Sequence, residues 1–138
     1  MWIFPFDFAN DHAAHIVKLH FLAEYGFSEV PNWFGGFPLL SYYHPGRSFF
    51  GLPFYYLFND AQIATYVAML VIYLLGFIVI WYIGKTQDFS KIKRIAFFVF
   101  FFANPIFIGY LRVGRHAEIF GFFLMMLLFL IIFYYQYK

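Results

Sequence analysis

The second half of the chain is dominated by three runs without a charged residue, at 61–83, 95–111 and 119–137. A helix needs roughly 20 apolar residues to cross the hydrocarbon core of a bilayer. The first and third runs meet that length comfortably. The second is at the short end, and Asn104-Pro105 inside it is expected to kink the helix. The pattern predicts three transmembrane helices.

Upstream the pattern changes. Residues 10–25 read as an amphipathic helix: Asn10 can cap it, Asp11 sits in the first turn where the helix dipole favours an anion, and Gly26 is a stop signal. At 3.6 residues per turn Asp7, Asp11, His15 and either Lys18 or Leu19 fall near one line, while Ala13, Ile16, Val17 and Phe21 cover the other sides. Such a helix lies at the membrane interface, with its Asp11/His15 edge toward water or protein. From Gly26 to Gly51 the residues Pro31, Gly35, Gly36, Pro38, Pro45 and Gly46 end both helix and strand. Trp33, Phe34, Phe37, Leu39, Leu40, Tyr42 and Tyr43 give this stretch side chains of its own to pack, so it reads as a structured loop. Loops of this length are usually functional. The run 49–58, with Pro53 inside it, is too short to span and reads as an interfacial or re-entrant turn of helix.

The expected fold is an all-α membrane protein with about three transmembrane helices (61–83, 95–111, 119–137). A first extracytoplasmic loop, 1–60, precedes them and holds the interfacial amphipathic helix and the aromatic Gly/Pro loop. The connector 84–94 carries Lys85, Lys91, Lys93 and Arg94 against Asp88, whereas the connector 112–118 carries Arg112 and Arg115. By the positive-inside rule 84–94 and the Lys138 end are cytoplasmic, which places 1–60 and 112–118 together outside.

Composition agrees: 64% of residues are hydrophobic and 12% charged, far from a soluble average. The net charge of +2 is too small and too scattered to suggest nucleic acid as a partner. There is no cysteine, hence no disulfide framework and no thiolate metal site. The 24 phenylalanines and 12 tyrosines exceed what interfacial belts need, and an AT-rich coding bias accounts for much of the excess. The first residues lack the pattern of a signal peptide.

Ionisable residues gathered on one face of a membrane protein define a candidate site. Asp11 and His15, four apart, suit a general base with an orienting imidazole, or two ligands of a divalent ion; an ordinary helix pair is the plainer alternative. Glu118 suits a second carboxylate, for a metal ion shared with Asp11 or for the acceptor. Arg112 and Arg115, three apart, suit one helical face offered to a phosphate, with snorkelling to headgroups as the alternative. Trp33 and Tyr43 suit stacking on a sugar or a polyprenyl chain, or anchoring the loop at the interface. His12, His20, His44 and His116 have no spacing that marks a metal motif. Nucleotide-binding glycine loops, serine nucleophile elbows and zinc-protease helices do not occur.

Asp11-x-x-x-His15, the helix end Leu22-Ala23-Glu24-Tyr25-Gly26, Pro31-x-Trp33-x-Gly35-Gly36-Phe37-Pro38-Leu39 and Tyr42-Tyr43-x-Pro45 follow one another in order. Together they resemble the first extracytoplasmic loop of prokaryotic membrane proteins related to the GT-C glycosyltransferases, a superfamily that includes protein O-mannosyltransferases and oligosaccharyltransferase catalytic subunits. Asn104-Pro105-Ile106 and Gly114-Arg115-x-Ala117-Glu118 look like the third span and the loop after it. The resemblance implies a plasma-membrane enzyme that moves a sugar from a polyprenyl-phosphate donor to an acceptor on the outer face. It makes Asp11 the catalytic carboxylate with His15 beside it, Glu118 a ligand of acceptor or of a divalent ion such as Mg or Mn, and Arg112 or Arg115 a phosphate contact. Members of that superfamily begin with a spanning helix and continue with several more, so the resemblance also implies a fragment that works with the remaining spans. Two rivals stand beside it: a non-catalytic subunit packed against a larger partner, and a lipid-headgroup enzyme using Arg112, Arg115 and His116.

Overall fold

The computed structural model describes residues 11–27 and 45–136. Among them are six helices and no strand: α1 (His12–Tyr25), α2 (Gly46–Phe58), α3 (Ala61–Thr86), α4 (Lys91–Phe102), α5 (Pro105–Arg112) and α6 (His116–Gln136). Most of the aromatic loop expected after α1, including Trp33, Tyr43 and His44, lies outside the described residues.

The all-α class is as expected. Two helices, α3 and α6, are long and apolar enough to cross a membrane, and α4 with α5 makes a third if the bent pair is one crossing. The 26 residues of α3 extend about 39 Å, more than a hydrocarbon core of roughly 30 Å. Its start is fixed by Asp60, whose carboxylate accepts from the N–H groups of Gln62 (2.7 Å) and Ile63 (2.9 Å). Asn59, left-handed at φ 51°, turns the chain from α2 into that cap. In α2, Pro53 is accommodated within the helix, and the stretch read as a short helical turn is 13 residues long.

The second apolar run is not one helix. It breaks between α4 and α5 at Ala103-Asn104, with a bend of 47°. Pro105 has no N–H to give the Phe101 carbonyl. The Asn104 side chain supplies the missing bonds, with Nδ2 donating to Phe101 O (3.0 Å) and Phe100 O (2.8 Å), while its oxygen accepts from Phe107 N–H (2.9 Å). Tyr73 donates its hydroxyl to the Phe102 carbonyl from α3. An unsatisfied backbone group in lipid is worth several kcal/mol, so these bonds make the break tolerable.

Arg94 lies on Gly84 and Phe102 on Gly76, so α4 packs antiparallel to α3, and α5 touches α3 where Phe107 meets Tyr73. The chain then turns, and α6 starts at the same end as α3. The main core is Met69, Ile72, Val79, Ile80 and Ile83 of α3, with Phe102, Phe107, Ile119, Phe123 and Met126 from the other helices. A smaller cluster of Leu19, Tyr55 and Ala64 joins α1, α2 and the beginning of α3. There Leu19 fits against Gly51, where a Cβ would stand 3.1 Å from it.

The first helix begins one residue later than the sequence suggests. Asp11, not Asn10, occupies the N-cap position, and its side chain makes no capping bond. Its backbone N–H instead bonds the Val113 carbonyl at 3.3 Å, a tertiary contact invisible to local sequence. His12, His15 and Lys18 are buried together with Leu19, Phe21 and Leu22. On the ionisable edge of α1, His15 and Lys18 therefore face protein, while Asp11 is exposed.

Gly76 and Gly109 form an internal comparison. A Cβ on Gly76 would stand 2.8 Å from the ring of Phe102, which is itself fully enclosed, whereas Gly109 has open space around it. Gly76→Ala is expected to lower stability by about 1–3 kcal/mol through overpacking, and Gly109→Ala by none. Thermal unfolding of the two variants in detergent checks this; equal midpoints would exclude the packing described.

Candidate functional site

At the shared end of α3 and α6, three elements converge. The turn between α5 and α6 is made by Gly114 at φ +78°, a left-handed conformation that favours glycine. The first turn of α1 lies directly on it: a Cβ at Gly114 would be 2.6 Å from His12 N and 3.0 Å from the Asp11 carbonyl carbon. Glycine is thus needed here for both conformation and space. Of the two stretches 1–60 and 112–118, the structure brings Asp11 and His12 against Val113 and Gly114.

That approach assembles three histidines. His12 Nδ1 and His116 Nε2 share a hydrogen bond of 3.0 Å, with one of the two nitrogens carrying the proton. The His12 ring stands edge-on to His116 with centroids 4.7 Å apart, and His15 stacks on the other side at 4.8 Å and 9°. Tyr66 of α3 lies 6.0 Å from the His12 ring. From α2, Arg47 reaches into the same place. It is 2% exposed and donates Nη2 to the Thr65 carbonyl of α3 at 2.9 Å. Its Nε and Nη1 are buried without a hydrogen-bond partner, as are Thr65 Oγ1 and His116 Nδ1. None of the described carboxylates forms an ion pair with it.

The electrostatics follow from this crowding. Burial holds the His15 imidazolium far out of reach, with its pKa lowered to about 3; the nearby charges of Arg47 and Lys18, and His12, push the same way, and a Gly114 backbone hydrogen bond opposes them. Burial also brings Arg47 down to about 10 and lowers Lys18, for which the Asp11 carboxylate compensates in part. His15 is a neutral ring, and the charges beside it are the Arg47 guanidinium and the Lys18 ammonium.

The residues singled out from sequence distribute around this cluster. Asp11 is exposed at its edge, and His15 is inside it. The link between the two is backbone, His15 N–H to Asp11 O at 3.0 Å. Arg112 and Arg115 do not share a helical face: Arg112 ends α5, Arg115 follows the Gly114 turn, and the helix expected to carry both is interrupted by that glycine. Both are exposed; Arg115 pairs with Glu118 at 3.6 Å and lies over the Tyr110 ring. Such an exposed pair contributes on the order of 0–1 kcal/mol. Among the described residues no group of three or more His, Cys, Asp or Glu side chains is arranged to hold a metal ion. Trp33 and Tyr43 lie outside the described residues.

Arg47 and Thr65 are the members that local sequence reasoning passes over; His12 has no telling spacing, and His116 enters there only with Arg112 and Arg115. One signal was available for Arg47: it is the lone Lys, Arg, Asp or Glu between Glu29 and Asp60. Chemically the cluster offers hydrogen-bond donors and enclosed positive charge, with the Asp11 carboxylate at its rim. Compared with protein-family models, curated proteins and solved structures, the chain matches none.

Two outcomes are expected. Gly114→Ala should lower stability by about 2 kcal/mol or more, because it combines an unfavourable φ with a backbone clash; a thermal midpoint equal to the parent's would exclude the α1 contact. The folded pKa of His15 is depressed, so its contribution to stability is present above the unfolded value of 6.5 and is lost as pH falls toward about 3. Its share of the slope between those limits reaches at most about 1.4 kcal/mol per pH unit, and His15→Phe, which keeps a stacking ring, should reduce the slope by that share in melts taken across that range.

Proposed function

We propose that this chain is part of a membrane glycosyltransferase of the GT-C-like kind, moving a sugar from a polyprenyl-phosphate donor to an acceptor on the outer face of the plasma membrane. The observation that carries this reading is the meeting of the Asp11 segment with the 112–118 turn at one end of an apolar bundle, where a carboxylate stands beside a cationic cluster. It is supported by α4 and α5, which together are long and apolar enough for a third crossing if the bent pair is one span. With 84–94 cytoplasmic by its lysines, the Asp11 end is then outside.

In this reading Asp11 takes the proton of the acceptor nucleophile as its bond to the sugar forms. The bond from the sugar to the donor phosphate breaks, and the polyprenyl phosphate leaves with that electron pair. Asp11 and Glu118 are the carboxylates for a divalent ion, Mg or Mn. Bilayer lipid surrounds α3 to α6, and the remaining spans of the enzyme complete the donor cavity.

Asp11→Asn is the test. General-base removal lowers rate by about 100-fold or more, and the fold should be retained, because the side chain makes no capping bond and gives up only its attraction for Lys18. Sugar transfer measured in membranes from polyprenyl-phosphate donor at the parental rate would sink the assignment. One observation favours the alternative of a non-catalytic subunit: the most apolar window of α6 is only 17% buried within the chain, leaving Leu124, Leu128 and Ile131 to lipid or to a partner. On that alternative Asp11→Asn is silent, and Leu128→Asn dissociates a complex with a larger membrane protein.

A further inference from the structure

Arg47 presents a physical problem that the sugar-transfer reading leaves unanswered. A guanidinium carries five N–H donors and stays charged. Here it is 2% exposed, and two of its three nitrogens have no partner. An enclosed, uncompensated charge is among the least favourable arrangements a protein can hold. Its neighbours do not relieve it. The Thr65 hydroxyl, which can donate as well as accept, and His116 Nδ1 are likewise buried and unpartnered. The imbalance is one-sided, since the guanidinium's only described acceptor is the Thr65 carbonyl. Unsatisfied buried groups in a native protein point to a missing water or ion, and a surplus of donors around a fixed positive charge points to an anion.

Depth narrows the class. Thr65 is the fifth residue of α3, about 6 Å from its first residue along the axis. A helix of about 39 Å centred in a core of roughly 30 Å overhangs by some 4–5 Å at each end. Thr65, and Arg47 against it, therefore lie near the boundary between acyl chains and headgroups, where lipid phosphates reside. With Nε and Nη1 both without a partner, the guanidinium keeps donors on two of its edges, each able to bond a phosphate oxygen.

We propose that Arg47, Thr65 and His116 form a buried phosphate-binding site at the bundle end, one that takes the phosphate group of a lipid headgroup or of a free phosphate. Binding removes the penalty of the enclosed charge and ties α2, α3 and α6 together through one ligand. It does not require that the chain transfers sugar, and it assigns phosphate recognition to Arg47 rather than to the exposed Arg112 and Arg115.

The test uses the whole chain purified in a maltoside detergent, which carries no phosphate, at constant ionic strength. Thermal midpoints are followed while inorganic phosphate, dioleoyl phosphatidic acid or sodium chloride is added. The parent should be stabilised by phosphatidic acid alone if the source is lipid, or by both phosphates if the site takes free phosphate; either supports the proposal. Arg47→Met should abolish the ligand-induced shift and should unfold no earlier than the parent without phosphate, since it deletes an unpaired charge. Thr65→Val, nearly isosteric, should weaken phosphate affinity by roughly tenfold, the scale of one charge-assisted hydrogen bond, and it keeps the test alive if Arg47→Met fails to fold. Arg115→Met should leave the shift intact. The proposal is overturned if neither phosphate stabilises the parent, if chloride does so equally, or if Thr65→Val leaves the shift intact while Arg115→Met removes it.

Discussion

In an apolar bundle no backbone donor or acceptor can be left to water, and the break at Asn104-Pro105 is where this chain comes nearest to violating that rule. A proline there removes an N–H, and the bend separates α4 from α5. One asparagine side chain makes three bonds, to Phe100, Phe101 and Phe107, and Tyr73 attends to Phe102 from the neighbouring helix. Because those bonds are all made internally, the polypeptide can bend inside the bundle while α5 still touches α3 where Phe107 meets Tyr73. The cluster at the far end of α5 depends on that continuity. The Gly114 turn arrives at the first turn of α1, and His116 arrives at His12 and His15 only because α5 ends where α3 began.

Helices, their rough limits and their apolar character were legible in the residues, since charge-free runs and Gly/Pro punctuation are local properties. The kink was legible too, because proline acts on its own backbone. The limits of α1 and the fate of its polar edge were less so. Asp11 is drawn into an N-cap position by a bond to Val113, about a hundred positions away in sequence, and a helix with His15 and Lys18 on one line says nothing about whether that line meets water or Arg47. The same holds for Arg112 and Arg115, whose spacing suits a helix that Gly114 does not permit.

The histidines illustrate the limit most clearly. Spacing arguments look for ligands i to i+4, and His12 and His15 are close while His116 is remote. Only the parallel starts of α3 and α6 bring them to one place. A buried guanidinium such as that of Arg47 is ordinarily matched by a carboxylate; in the site proposed above, a phosphate takes that part. A lone cation in a long uncharged stretch was the visible trace of that arrangement.

The ring contact between His12 and His116 joins residues 104 positions apart. A ribosome adding about 5–20 residues per second separates the synthesis of the two by roughly 5–20 s. During that interval α1, α2 and α3 have been made, yet the polar group they carry lacks its final wall. Until α6 is made, the half-built cluster leaves His12 and His15 without the ring of His116 that they pack against.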